Sequence, residues 1–467
     1  MRSQFEQICR LYILFLGCAV LSAKRTAILT INSPDGDIID CLNMRDQPAF
    51  DHPLLRNHKI QEIPTNLPNG IDTFSWQVWH RNGTRCPEGT IPIRRHNGTT
   101  WFPAGVEATL GHEYAIGGLG SPPPKIYGIK AVMNVWQPTV ERTDEFSLGQ
   151  VWVTAGSYTS KDLNSIEAGW QVYPQLYLDY QPRLFILWTT DAYTRTKCYN
   201  LRCPGFVQTN RNIVIEGAIS PTSIFGGVQM DLTIQIWKEA KPGHWWLGVG
   251  FSNGTLIAPV GYWPTEIFTR LTDHAEKVEW GGEIVNDNIS GRHTTTQMGS
   301  EYLSGNVKAA YMRDLQIAVD IGSFQPVYDL KVAATNPTLY SIEKLSNTSF
   351  LYGGPEHGAA VHLDSMLFYL FVTATKRRES HHLSKPSSPV LSIHLRIGIV
   401  KAAAFCAATA IQRLRAVAPR LRVEQFDSLS KCGVTVNQSL GHGSKAFVGS
   451  ALVAEALAIR SARNCAL

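Results

Sequence analysis

Two short segments each place a carboxylate among residues that favour strands: Ile166-Glu167-Ala168-Gly169-Trp170-Gln171-Val172 and Val278-Glu279-Trp280-Gly281-Gly282-Glu283-Ile284-Val285. Read as strands, their side chains alternate between two faces. Ile166, Ala168, Trp170 and Val172 then share one face, and Glu167, Gly169 and Gln171 the other. In the second segment Val278, Trp280, Gly282 and Ile284 oppose Glu279, Gly281 and Glu283. Gly169 beside Glu167 and Gly281 beside Glu283 lie on the carboxylate faces, and glycine within a strand marks close approach by a ligand or another backbone. This predicts an open trough beside both carboxylates, with Gly169, Gly281 and Gln171 as candidate substrate contacts. Two carboxyls facing one trough have their pKa values pushed apart. In mild acid one can then take a proton from water while the other donates to a carbonyl. That chemistry is acid-favoured hydrolysis. The same pair would serve a glycosidase, whose carboxyl separation sets its stereochemistry, and ordinary solvent-side glutamates on a sheet are the bland alternative.

Holding such a pair requires a sheet, and the chain beyond the triple proline Pro122-Pro123-Pro124 supplies one. Apolar and polar residues alternate over Ile126 to Trp136, Val151 to Ala155, Leu184 to Thr189, Ile213 to Ile219, Met230 to Trp237, Trp245 to Phe251 and Val278 to Val285. Runs of this kind separated by Gly, Pro and Asn turns predict an all-β catalytic domain, an antiparallel β-sandwich of two packed sheets. One short helix is expected over Thr265 to Val278, where Ile267, Leu271 and Ala275 recur four apart. The polar, turn-rich stretch before the prolines reads as a small α+β pro-domain. After about residue 376 the chain has no Trp or Tyr and no alternation, and is expected to be a disordered tail foreign to the fold. The expected divisions are a signal peptide over 1–23, a pro-domain over 24–120, the sandwich over 121–357 and the tail over 358–467.

Other chemistries lack their motifs. Gly250-Phe251-Ser252-Asn253-Gly254 fits G-x-S-x-G, but a nucleophile elbow needs a helix after it, and Thr255-Leu256-Ile257-Ala258-Pro259 is strand and turn chemistry. There is no H-E-x-x-H, no paired C-x-x-C and no phosphate-binding G-x-x-x-x-G-K-[ST]. No metal and no cofactor are expected. His112 and His274 are unaccompanied and read as structural or surface histidines.

The compartment is legible too. Arg2 and Arg10 lead into the apolar run Leu11 to Val20, about half of what crosses a bilayer, so a cleaved signal peptide is expected rather than a stable membrane anchor. Beyond it and before the tail stand Cys41, Cys86, Cys198 and Cys203, an even set suited to an oxidising lumen. Of three possible pairings, the locally simplest joins Cys41 to Cys86 and Cys198 to Cys203. Asn82, Asn97, Asn253, Asn288 and Asn347 are N-glycosylation acceptors. Residues 376–467 hold 14 of the 43 Lys and Arg but 4 of the 38 Asp and Glu, leaving 29 against 34 elsewhere, a net −5. The overall positive charge therefore gives no reason to expect a nucleic-acid partner.

The strings IEAGWQVYPQLY, CYNLRCPGFVQTN, VGYWPTEIF, VEWGGEIV and TTTQMGSEY, preceded by SPDGDIIDCLNMRDQPAFDHPLLRNHKIQ, follow one another as in the plant neprosin family, which the chain resembles over about residues 26–355. The resemblance implies a β-sandwich glutamic peptidase whose catalytic residues are Glu167 and Glu283, with no cofactor. It implies the disulfides Cys41 with Cys86 and Cys198 with Cys203. It further implies a secreted zymogen, in the extracellular space, cell wall or vacuole, whose own pro-domain covers the cleft until acid-triggered cleavage between about 105 and 125. Peptide or protein is the expected substrate, with cleavage after proline as the family's founding preference. A non-catalytic sandwich that binds cell-wall glycan or protein is the alternative. The chain departs from the family at Leu178 and Lys197, where glycine is usual, and at Leu339, where a cysteine is usual, and it runs past Gly353-Gly354-Pro355-Glu356 into the tail.

Overall fold

The computed structural model describes residues 25–65, 76–80, 83–96, 111–224, 226–251, 256–286, 292–302 and 309–355. The expected signal peptide and tail, and Asn82, Asn97, Asn253 and Asn288, lie outside the described residues. Asn347 sits in an exposed turn, where its Oδ1 accepts a hydrogen bond from Lys344 Nζ at 2.7 Å.

Among the described residues, three sheets account for nearly all regular structure. A small N-terminal sheet orders β1 (Leu29–Asn32), β2 (Ile38–Asn43) and β3 (Thr90–Arg94) side by side. The strands that follow are β4 (His112–Leu119), β5 (Gly128–Asn134), β6 (Ser147–Ala155), β7 (Asn164–Val172), β8 (Arg183–Thr189), β9 (Cys198–Tyr199) and β10 (Val207–Gln208). Next come β11 (Asp231–Lys238), β12 (Trp245–Gly250), β13 (Ala258–Trp263), β14 (Lys277–Val285), β15 (Ala310–Asp320), β16 (Ser323–Pro326), β17 (Leu330–Ala334), β18 (Ser341–Ser346) and β19 (Ser349–Gly353). One sheet runs β17-β4-β14-β6-β7-β8-β9; the other runs β10-β13-β12-β11-β5-β15-β19-β18, with β16 on β15. All ladders are antiparallel, and the two sheets pack as a sandwich. A single helical turn, α1 (Pro174–Tyr177), follows β7.

The alternation in the sequence explains the packing. Ile166, Ala168, Trp170 and Val172 of β7, with Val151 and Val153 of β6 and Val278, Trp280 and Ile284 of β14, form one wall of the core. Ile129, Ala131 and Met133 of β5, with Leu232, Ile234 and Ile236 of β11, form the other. Burying a side chain of this size is worth roughly 1.5–3 kcal/mol, so the parity of each strand is strongly fixed and the carboxylates are directed to the outer face. Trp170 Nε1 donates across the sandwich to the Asn134 carbonyl at 3.1 Å.

Several expectations change. Thr265 to Val278 is no helix: a 3-10 turn spans Thr265–Ile267, and Val278 already belongs to β14. The cause is Asn164, whose Oδ1 accepts from the backbone N–H of Thr269, Arg270 and Leu271 at 2.9, 2.8 and 3.3 Å, occupying donors that a helix would use. Ile267, Leu271 and Ala275 are nevertheless all buried. Ile213 to Ile219 forms isolated bridges to Ile93, Gln77 and Arg183 instead of a strand, because it is the seam on which the N-terminal sheet docks. Among the described residues of that N-terminal unit the helical content consists of 3-10 turns, among them Met44–Asp46, Pro48–Asp51 and Pro53–Leu55. The boundary expected at 120 falls directly after β4. β4 pairs with β14 and β17 inside the seven-stranded sheet, so the sandwich begins no later than His112 and the prolines merely link its two sheets.

The chain carries the disulfides Cys41–Cys86, which ties β2 to the loop before β3, and Cys198–Cys203. Among the described residues no helix is long and apolar enough to cross a membrane.

Candidate active site

Register builds the site. Across β4, β14, β6, β7 and β8 the outward positions form three rows. One reads Tyr114, Glu283, Leu148, Gln171, Arg183; the next Ile116, Gly281, Gln150, Gly169, Phe185; the third Gly118, Glu279, Trp152, Glu167, Leu187. Glu283 and Glu167 therefore face each other diagonally across β6, with Gln150 between them and a glycine on either side of Gln150. Two residues 116 positions apart in the chain thus share one pocket, whose other walls include His112, Tyr114, Trp152, Tyr158, Tyr193, Lys197 and Tyr199.

Both carboxylates are nearly sealed, Glu167 at 3% exposure and Glu283 at 5%. Glu167 Oε1 accepts from Ser165 Oγ at 2.9 Å and from the Tyr193 hydroxyl. Glu283 Oε1 faces His112 Nδ1, and its Oε2 accepts from Gln150 Nε2 at 3.2 Å. Burial pushes Glu167 up to about 7; the charge of Glu283 adds to this, while hydrogen bonds from Tyr193, Ser165 and Gln150 oppose it. Burial first, and the nearby carboxylates with it, hold the hydroxyls of Tyr114, Tyr193 and Tyr199 well above the usual tyrosine range, so they act as neutral hydroxyls. Burial lowers Lys197, and Glu283 and Glu167 pull it back up. Gln150, which also lines the pocket, has its Oε1 buried with no hydrogen-bond partner.

Of the sequence-predicted residues, Glu167 and Glu283 meet, and the other three have different roles. A Cβ on Gly169 would lie 2.0 Å from the Gly149 carbonyl oxygen, and one on Gly281, whose φ is +153°, would lie 2.2 Å from that of Ala115. These glycines admit neighbouring strand backbone, not substrate, and by having no side chains they leave the centre of the face to Gln150. Gln171 is fully buried, accepts from the Tyr177 hydroxyl at 3.0 Å and does not line the pocket. His112, read as a lone structural histidine, belongs to the site. Gln150, Tyr193 and Lys197 were not singled out for it. Ser165 had a signal, being two residues from Glu167 and so on its face; Tyr193 arrives from a loop and had none.

The N-terminal sheet docks at the end of the first row. Asp37 accepts from buried Arg183 at 2.6 Å, and Arg94 donates to the Tyr177 carbonyl at 2.9 Å. Glu216, held below the usual carboxylate range against its burial by His96, Arg202 and Arg94, completes this joint.

A pocket built around two buried carboxyls on a sandwich face is the arrangement of a glutamic-type peptidase, and comparison with family models agrees. Residues 143–355 match the family model Neprosin, and residues 30–116 match the model Neprosin activation peptide. The chain belongs to the neprosin family, as a peptidase of the glutamic type made with an activation peptide. Among solved structures it is similar to a Scytalido-glutamic peptidase holding a peptide-based transition-state analogue, at 9% identity and a TM-score of 0.28 over 52% of this chain and 98% of that one. SCP-B, an eqolisin-family peptidase in complex with the tripeptide Ala-Ile-His, matches at 9% identity and 0.27 over the same shares. A β-porphyranase of Bacteroides plebeius matches at 8% and 0.20 over 35% and 54%.

Proposed function

We propose that this chain is a secreted zymogen whose mature form cleaves peptide bonds in acid, with Glu283 as general base and Glu167 as general acid. The supporting observation is that Glu167 keeps its proton up to about neutral pH while facing a second carboxyl that accepts from Gln150 and faces His112. In the first step water attacks the scissile carbonyl carbon, Glu283 takes its proton, and Glu167 gives its own to the carbonyl oxygen. In the second step the tetrahedral intermediate collapses. Glu283 passes its proton to the leaving amine, and the hydroxyl proton returns to Glu167, so that both residues regain their starting state. A buried, protonated carboxyl is neutral and is therefore held in this pocket at little electrostatic cost.

Secretion is supported by the apolar N-terminus and by the disulfides. The extracellular space, cell wall or vacuole is the destination we infer, with glycans on the Asn-x-Ser/Thr sites. We place the maturation cut before β4, although the activation-peptide match runs to residue 116, because a cut within His112–Leu119 would sever a strand that lies against Glu283. Cleavage after proline is the preference carried from the family, and the aromatic walls Phe146, Trp152 and Phe185 suit a rigid apolar ring.

The test is the pH dependence of kcat/KM on a proline-containing peptide, measured on acid-matured protein. Activity high in acid and falling as pH rises through about 7 is expected, since kcat/KM reports the free enzyme's groups. Activity that rises through that range would overturn the assignment of Glu167 as acid.

A further inference from the structure

The N-terminal unit also touches the sandwich at a second place, away from the glutamate pocket. His58 stands in the segment matched as activation peptide, while His244 and Glu266 stand in the segment matched as the peptidase domain. One donor atom of each lies within 4.8 Å of the others. His58 Nδ1 is 4.0 Å from Glu266 Oε1, and His244 Nδ1 is 3.9 Å from Glu266 Oε2. The imidazole centroids are 5.3 Å apart. None of the three lines the glutamate pocket.

We propose that His58, His244 and Glu266 bind a divalent transition metal ion, with zinc the best fit, and that the ion ties the activation peptide to the peptidase domain. Two imidazoles and a carboxylate are a recurring zinc set, with water able to take the fourth tetrahedral position. The outer shell is already built. Tyr262 holds both rings: its hydroxyl lies 2.8 Å from His58 Nε2, leaving Nδ1 to face the cluster, and its ring stacks on His244 at 4.7 Å and 11°. The backbone N–H of Gln61 fixes that hydroxyl in turn at 3.0 Å. Partners of this kind orient imidazole ligands and hold their tautomer.

Zinc-bound atoms stand about 2.0–2.2 Å from the ion, hence about 3.3 Å from one another, so the two histidine–glutamate separations must shrink by under an ångström and the histidine–histidine one by up to about 1.5 Å. Glu266, the most exposed of the three, can supply the histidine–glutamate part of that movement. The contact to be displaced is a weak one, from Thr265 N–H to His244 Nδ1 at 3.3 Å. Neighbouring charges are otherwise engaged. Glu239 Oε2 accepts from Gln61 Nε2 at 2.8 Å and from Thr65 Oγ1 at 3.0 Å, and Lys238 Nζ donates to the Gly243 carbonyl at 2.6 Å.

The experiment uses the full secreted chain carrying Glu167→Gln, stripped with a chelator and titrated with zinc chloride by calorimetry at neutral pH. Because no turnover is measured, its outcome is independent of the peptidase mechanism. Uptake of one equivalent is expected, weakened at least about tenfold by each of His58→Gln, His244→Gln and Glu266→Gln. Zinc should also raise the urea midpoint of the parent and not that of the variants, each compared with its own midpoint in chelator. Glu266→Gln changes a half-exposed residue, so it reports binding even if a histidine variant folds poorly. Absence of saturable uptake by the parent, or uptake that survives all three substitutions unchanged, would overturn the proposal.

Discussion

Replacing Glu167 by Gln should make the protein more stable in neutral and alkaline solution while changing little in acid. The magnitude follows from the site. Burial raises the carboxyl from 4.5 to about 7, and one pKa unit is about 1.36 kcal/mol, so the shift corresponds to about 3 kcal/mol. Since the folded-state value lies above the unfolded one, the native state holds the proton more tightly. The stabilisation is complete below about 4.5 and is lost as pH rises through about 7. Glutamine has no proton to lose, and its carbonyl oxygen can still accept from Ser165 and Tyr193. Urea unfolding of both proteins from about pH 4 to about pH 8, at constant ionic strength, measures the difference directly. The variant's advantage should grow by about 3 kcal/mol across that range. Parallel stability curves would show that Glu167 is not buried as a proton carrier, and the acid role would fall with it.

Three further outcomes follow from the same geometry. Gly282→Ala would put a Cβ 2.4 Å from Tyr352 Cε2 in the sealed core, and should cost about 1–3 kcal/mol in a thermal or urea melt. Gln150→Leu removes a donor from both carboxyls; it should lower kcat at least about tenfold. It should also move the alkaline limb of the pH profile upward, because the lost hydrogen bond was lowering Glu167. Lys197→Met removes a cation that favours the ionised carboxyls, so the same limb should move upward without loss of fold, whereas an unchanged profile would remove Lys197 from the site.

The sandwich was legible because its strands alternate so strictly that one face must be buried: Ile166, Ala168, Trp170 and Val172 behave in the core as their spacing requires. Parity also directed both glutamates outward. What parity cannot give is register. Nothing in Ser147–Ala155 shows that Gln150 has Gly281 on one side and Gly169 on the other, yet that pairing places its amide between the carboxyls. His112 was missed for the same reason, since its partner lies on a strand 171 residues away. The misread helix has another cause. Spacing of four marks burial in any compact turn, and a single side chain, Asn164, was enough to take the helical donors of Thr269 to Leu271. His58, His244 and Glu266 were invisible as a group because they meet only once the activation peptide docks.

The most direct measurement is cleavage of a proline-containing peptide library, from acid to neutral pH, by the acid-matured protein beside Glu167→Gln and Glu283→Gln. Cleavage by the parent in acid, lost in both variants while both remain folded, is the predicted result. A folded, matured parent that cleaves nothing, or a variant of either glutamate that cleaves as the parent does, would contradict it.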